Sequence, residues 1–310
     1  MAIGRLRVLN ASGPAEMSLL ELIRRMRLME DVGLDVEYLH APDGQKGLQL
    51  ILDDKVDVAL QIGFGPVLAA IERGERLKMI AGANLRAVHC VFTSDRNVTR
   101  VADLAGRSIG IGSSGALTHQ LMTAILMKSG VDPRNVTFVN IGNSEAVFRA
   151  VVERRVDAGL GEVDNVHQQS QFGIRALADG DLWDQLPQFP NQGSYATQQA
   201  IEEKRELIVA ALLASARLFR FICSPGSWET FSAARAAALP DADPGEAKAQ
   251  WEFYQQRQPY ALDLMLDEAR LTYMQEVNIA MGAQSRILPY GEIADMSLAR
   301  EAIRRLDGAS

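Results

Sequence analysis

The residues best placed to do chemistry sit where apolar strands give way to helices. Ser12-Gly13 follows the run Leu6-Arg7-Val8-Leu9-Asn10-Ala11, and Ser113-Ser114-Gly115 follows Gly110-Ile111-Gly112. A helix start presents unpaired backbone N–H groups and the positive end of its dipole, which suit an anion or a strong acceptor. A hydroxyl beside those amides adds a donor, although a serine there also serves as the cap of its own helix. Asn10, closing the first strand, joins this set. Gln61, Gly63, Phe64 and Gly65 follow a third strand. Glycines admit close backbone approach, while Phe64 either stacks on a planar ligand or fills the core. Glu162 ends the corresponding strand of the second half, where its carboxylate suits a ligand amine or ring N–H, or else simply solvent. Arg86, next to Asn84, carries the forked donors that match a carboxylate or sulfonate, if it does not lie on the surface. Asn143-Ser144-Glu145 opens another helix, again with capping as the alternative. Asn191, Gln192, Ser194 and Tyr195 add a polar rim.

Other chemistries are poorly served. His40, His89, His119 and His167 share no metal-ligand spacing, so no metal is expected. Cys90 and Cys223 form no CxxC, which points to two buried thiols, with a single bridge between them left open. The run Ile111-Gly112-Ser113-Ser114-Gly115 lacks the lysine of a phosphate loop and the spacing of a dinucleotide fingerprint, and no GxSxG elbow occurs. No lysine has a context marking a Schiff base. No cofactor and no catalytic residue are therefore expected. With 32 basic and 39 acidic residues the 310-residue chain carries a net charge of −7, which disfavours nucleic acid and anionic membranes as partners. Its 47% hydrophobic and 23% charged residues describe a globular protein. No apolar run approaches the roughly 18–20 residues that span a bilayer. Met1 to Gly4 lead directly into a strand without the regions of a signal peptide. That fits a cytoplasmic protein if this is the native start, or one working outside the membrane after loss of its signal.

What positions the polar groups is a repeated unit. Val8-Leu9-Asn10-Ala11-Ser12-Gly13 aligns with Gly110-Ile111-Gly112-Ser113-Ser114-Gly115 at an offset of 102. Helical patterns follow over about 17–31 and 118–129, closed by Gly33 and Gly130 as glycine C-caps at an offset of 97. Val36-Glu37-Tyr38-Leu39 and Val136-Thr137-Phe138-Val139 then correspond at 100, as do Val56-Asp57-Val58-Ala59-Leu60 and Val156-Asp157-Ala158-Gly159-Leu160. Each half reads strand–helix–strand–helix–strand, which predicts an α/β fold with mainly parallel sheets flanked by helices. Ligands of such sheets bind at the carboxyl ends of the strands, so two facing sheets trap a small molecule between them. From Gln198 onward the pattern is helical, over 199–222, 227–239, 244–258, 262–281 and 297–306.

This layout resembles the periplasmic binding proteins of the nitrate/sulfonate/taurine type, including the thiamine-precursor synthase-like group. The resemblance is carried by Val56-Asp57-Val58-Ala59-Leu60 leading into Gly65-Pro66-Val67-Leu68-Ala69-Ala70-Ile71-Glu72-Arg73-Gly74, by Val101-Ala102-Asp103-Leu104-Ala105-Gly106-Arg107-Ser108-Ile109-Gly110-Ile111, and by Val156-Asp157-Ala158-Gly159-Leu160-Gly161-Glu162. Arg107 and Arg155 depart from the lysine and glycine usual in these stretches. The resemblance implies a two-lobed type 2 periplasmic-binding-protein fold. One lobe would comprise 1–84 plus 195–310 and the other 85–194, with crossings near 83–89 and 189–197. It implies closure on a sulfonate, carboxylate or heterocyclic solute, and delivery by a monomer to an ABC transporter permease with its ATPase. The alternative it leaves open is an enzyme on the same fold, acting on a small acid or pyrimidine precursor as decarboxylase, dehydratase or thiamine-precursor synthase.

Overall fold

The computed structural model describes residues 4–11, 13–41, 44–142, 144–163 and 165–308. The first half runs β1 (Gly4–Asn10), α1 (Pro14–Arg25), β2 (Leu34–His40), α2 (Gly44–Leu52), β3 (Val58–Ile62), α3 (Gly65–Glu72) and β4 (Leu77–Gly82). The second runs β5 (His89–Thr93), β6 (Ser108–Ile111), α4 (Leu117–Lys128), β7 (Thr137–Asn140), α5 (Ser144–Val152), β8 (Ala158–Glu162), α6 (Asn165–Gln168), β9 (Arg175–Asp181) and α7 (Leu182–Gln185). The chain returns as β10 (Gly193–Thr197) and continues as α8 (Gln198–Ile222), α9 (Trp228–Ala238), α10 (Pro244–Arg257), α11 (Glu268–Ala280), α12 (Tyr290–Ile293) and α13 (Ser297–Gly308).

Two five-stranded sheets result, ordered β2-β1-β3-β10-β4 and β7-β6-β8-β5-β9. In each, three parallel strands of one βαβαβ unit are extended by an antiparallel strand that has just crossed from the other lobe. Residues 193–197, expected in the returning crossing, are that strand in the first sheet, and His89 already belongs to its counterpart in the second. The last helices pad the first sheet, with α8 and α13 against β4 and α8 also against β1. Residues 262–267 of the expected fourth helix of this tail lie before α11 begins.

The repeated Val-Asp pair has a structural cause. The Asp57 carboxylate accepts from the Arg7 backbone N–H at 2.8 Å, while its own N–H donates to the Arg7 carbonyl. Asp157 does the same with Ser108, at 2.8 Å to the backbone N–H and 2.7 Å to the hydroxyl. Each aspartate thus ties the start of one parallel strand to its neighbour. Burial pushes the Asp57 carboxyl up, but Arg7 and Lys204 override it and hold it below the usual range. Lys204 reaches Asp57 at 2.8 Å from the one residue of α8 whose backbone leaves helical angles.

The ladders also correct the alignment of the halves. Val8 pairs with Val58 and Ile109 with Ala158, so the first strands correspond at 101 rather than 102. The sequence match followed the Ser-Gly identity in the turns, whereas the turn before α4 is two residues longer than that before α1. Helices α2 and α5 correspond at 100 throughout, including the left-handed residues Asp54 and Arg154 that end them (φ 52° and 58°). Cys90 and Cys223 are both free and buried. Among the described residues no single helix is long and apolar enough to cross a membrane. The bent pair Gln198–Ile222 and Pro225–Ala238 passes that test together, yet the apolar residues of α8 are core.

Candidate functional site

A cavity of about 190 Å³ lies where the carboxyl ends of the two sheets meet. That is about six times the ~30 Å³ share of one water, well below the ~300–1,000 Å³ of drug-sized pockets, so the matching occupant is compact. The same three strand-to-helix turns of each lobe supply its walls. Gly13, Pro14 and Glu16, then Ala41 and Gly44, then Ile62, Gly63 and Pro66 come from the first lobe. Gly112, Ser113 and Thr118, then Gly142, Ser144 and Glu145, then Glu162 come from the second. Val88, His89, Asn191 and Gln192, at the crossings, close it from the hinge side. The crossings bond to each other, Gln192 N–H to the Asn84 carbonyl at 2.8 Å and Ala83 N–H to the Gln192 carbonyl at 3.2 Å.

Among the described residues its charged side chains are all carboxylates, set among hydroxyls, amides and an imidazole that both donate and accept. Glu16, Glu145 and Glu162 line it, and no lysine or arginine does among the described residues. Arg149 pairs with Glu145 at 2.8 Å, and Gln192 donates to Glu16 at 2.5 Å. Asn191, 2% exposed, has a side-chain oxygen without a hydrogen-bond partner among the described residues, as have Nδ1 of His89 and the hydroxyl of Ser113. Complete burial drives His89 down to about 4, so its imidazole is neutral near pH 7.

The helix starts contribute fewer donors than the sequence suggests. Pro14 and Pro66 occupy the first turns of α1 and α3, each removing an N–H. In the second lobe the Gly112 amide is taken by the Thr118 hydroxyl at 2.8 Å, that of Gly115 by His119 Nδ1 at 3.1 Å, and that of Ala116 by the Ser113 carbonyl. Glu16 and Glu145 stand in the first turns of α1 and α5, where carboxylates complement the dipole.

Of the residues singled out from sequence, Gly13, Gly63, Ser113, Ser144, Glu145, Glu162, Asn191 and Gln192 line the cavity. Ser12 and Asn143 lie outside the described residues. Asn10 is buried at the end of β1 without lining the cavity, its side-chain oxygen unpartnered among the described residues. Gln61 is buried in β3, in left-handed backbone (φ 54°), with its N–H 3.5 Å from the Ser194 hydroxyl. Phe64 and Tyr195 are core side chains, 1% and 0% exposed: Phe64 packs against β10 beside Gly193, and Tyr195 lies in the middle of β10, away from the strand ends. Asn84 and Arg86 build the crossing: the Asn84 side chain accepts from the Arg86 N–H at 3.0 Å, and the guanidinium binds the Trp183 carbonyl at 3.0 Å beside Asp184. Ser114 is exposed, near Asn140, and Gly115 takes φ 80° for the turn. Glu16 and His89 were not anticipated. Glu16 carried a signal as an acidic residue in a helix first turn beside Gly13, whereas His89 was weighed only as a metal ligand.

The family model described as NMT1/THI5 like matches residues 29–224. No curated protein matches the chain in sequence. Among solved structures, the alkanesulfonate-binding protein SsuA from Xanthomonas axonopodis pv. citri bound to MOPS is 16% identical at TM-score 0.77, covering 94% of this chain and 99% of its own. The periplasmic aliphatic sulphonate binding protein SsuA from Escherichia coli is 15% identical at TM-score 0.74, covering 94% and 92%. The desulfurization enzyme DSZB is 15% identical at TM-score 0.65, covering 96% and 99%. The likeness to these structures is one of fold, the two-lobed type 2 periplasmic-binding-protein fold.

Proposed function

The chain belongs to the NMT1/THI5-like family, and from that premise we propose that it is a solute-binding protein that closes on a solute through a compact, hydrogen-bond-donating group. A small cation or an N–H-bearing heterocycle fits this description. It works outside the cytoplasmic membrane as a monomer, handing its cargo to the permease and ATPase of an ABC importer. The observation that carries the ligand class is the charged lining of the cavity, carboxylates from both lobes beside a neutral His89. Closure stabilised by ligand requires contacts made in that state alone, and Glu16 from one lobe with Glu162 from the other supplies them. A sulfonate, printed for two of the neighbours, would meet three glutamates here and helix starts already stripped of several donors.

The rival reading, an enzyme on the same fold, draws on the likeness to DSZB. Burial pushes the Cys90 and Cys223 thiols up to about 12 and about 11, which makes both unsuited to nucleophilic work.

The test uses two probes of one shape and opposite charge, benzamidine and benzenesulfonate, in thermal-shift and calorimetric titrations. Benzamidine is expected to stabilise the protein and benzenesulfonate to leave it unchanged. Glu162→Gln should weaken benzamidine about 10- to 100-fold, the ~1.5–3 kcal/mol of a charge-assisted hydrogen bond. Preferential binding of the sulfonate would overturn the ligand class, and turnover of either probe class would favour the enzyme.

A further inference from the structure

A second chamber of about 640 Å³ opens off the cavity, sharing Pro14, Ser144, Glu145 and Glu162 with it. Its walls come from both lobes. Phe148 and Phe172 stand on the second-lobe side with their rings edge to face, centroids 5.9 Å apart at 81°. Leu239 and Ala242, between α9 and α10, face them from the first-lobe side. Phe148 is anchored in the core against Phe92 at 5.3 Å, whereas Phe172 is 40% exposed. Gln168 of α6 donates to Glu246 of α10 at the chamber wall, joining the lobes there. The two cavities thus share the wall that carries Glu145 and Glu162, and the outer one adds an aromatic and aliphatic patch flanked by the charged Arg149, Glu153 and Asp241.

We propose that the solute is elongated, with its polar head in the inner cavity and an apolar, preferably aromatic, arm extending past Glu162 into the outer chamber against Phe172 and Phe148. This rests on the solute-binding reading of the cleft and adds the arm to it. An arm seated between Phe172 and Leu239 touches both lobes, so it strengthens closure as well as affinity. Its burial also removes the exposed face of Phe172 from water.

The experiment compares short and long probes with either head: benzamidine against 4-phenylbenzamidine, and benzenesulfonate against biphenyl-4-sulfonate, by calorimetry. For whichever head binds, the second ring is expected to tighten binding about tenfold, as burial of one ring face predicts. In Phe172→Ala that gain should fall below about threefold while the short probe binds as before. Leu239→Ala, on the facing wall, should reduce the gain in the same way, and serves if Phe172→Ala is poorly folded. A second ring that adds nothing, a gain that survives both variants, or no binding by any of the four probes would overturn the proposal. The sign of the head is read separately from the short pair, so the two readings fail by different results.

Discussion

His89 occupies the first position of β5 directly opposite Glu162, and its depressed pKa follows from burial alone. Above about pH 6.5 the imidazole is neutral in both folded and unfolded chains, and the stability of the fold is fully present. Below that, the unfolded chain takes up a proton that the folded one refuses, so stability falls as the pH drops through about 4. At about 1.4 kcal/mol per pH unit the loss is roughly 3 kcal/mol. His89→Gln should keep the side chain polar and remove this component. Urea titrations at pH 7 and pH 4.5 should therefore show the parent losing about 2 kcal/mol more than the variant on acidification. Equal losses would mean that His89 is solvated enough to protonate in place.

At the scale of elements, helices α3, α4 and α11 are joined by uncharged amides where the lobes touch. Gln120 of α4 donates to the Asn278 side chain at 2.7 Å, and Asn278 donates to the Gly65 carbonyl at 3.0 Å. Gln284 and Gln275 extend the network, and all four amide side chains are at most 5% exposed. A Cβ at Gly65 would stand 1.6 Å from the Gln120 amide nitrogen, so Gly65→Ala forces Gln120 off Asn278. Leaving these buried groups unpaired costs about 1–3 kcal/mol. The same substitution in a Gln120→Ala background should be nearly neutral, and a double-mutant cycle by denaturation reads the difference. Additive losses would place the strain in the backbone instead. This network explains where reading the sequence stops. The repeat was legible because its markers are local: Val-Asp before a strand and equal helix lengths in α2 and α5, whereas Gly33 stands eight residues beyond α1 and Gly130 only two beyond α4. Gln120 and Asn278 are 158 positions apart, and nothing near either announces the other. The same holds for β5 and β10, whose partners lie in chain segments far from their own. Within the cavity, the places were legible, since eight of the residues named from sequence at the strand ends and the returning crossing line it. The number of free donors was not: the serines and glycines suggested open helix starts, while the prolines, Thr118 and His119 that use up donors show their effect only in three dimensions.

For the whole molecule the question is what sets the balance between separated and closed lobes. Among the described residues, contacts that cross between them include the amide network, the ion pair of Arg257 with Asp184 at 2.8 Å, the edge-on rings of Trp183 and Phe253, and the bond from Gln168 to Glu246. Asp184 also lies 3.6 Å from Arg86, so that ion pair sits beside the first crossing. The Gln168 bond lines the outer chamber, away from both crossings, and joins α6 to α10 there. Glu246 is also held by Arg235 at 3.0 Å, so the acceptor remains in place when Gln168 is removed. A hydrogen bond to a charged group contributes about 1.5 kcal/mol or more, which is about tenfold in the closed-to-open ratio. Because apparent affinity scales with the closed fraction, Gln168→Ala should weaken benzamidine five- to tenfold while leaving the denaturation midpoint nearly unchanged. Small-angle scattering should show a larger radius of gyration for the unliganded variant, collapsing to the parent value at saturating probe. Weaker binding with no change in radius would instead make Gln168 a direct contact of the solute, and its effect would then depend on the length of the arm.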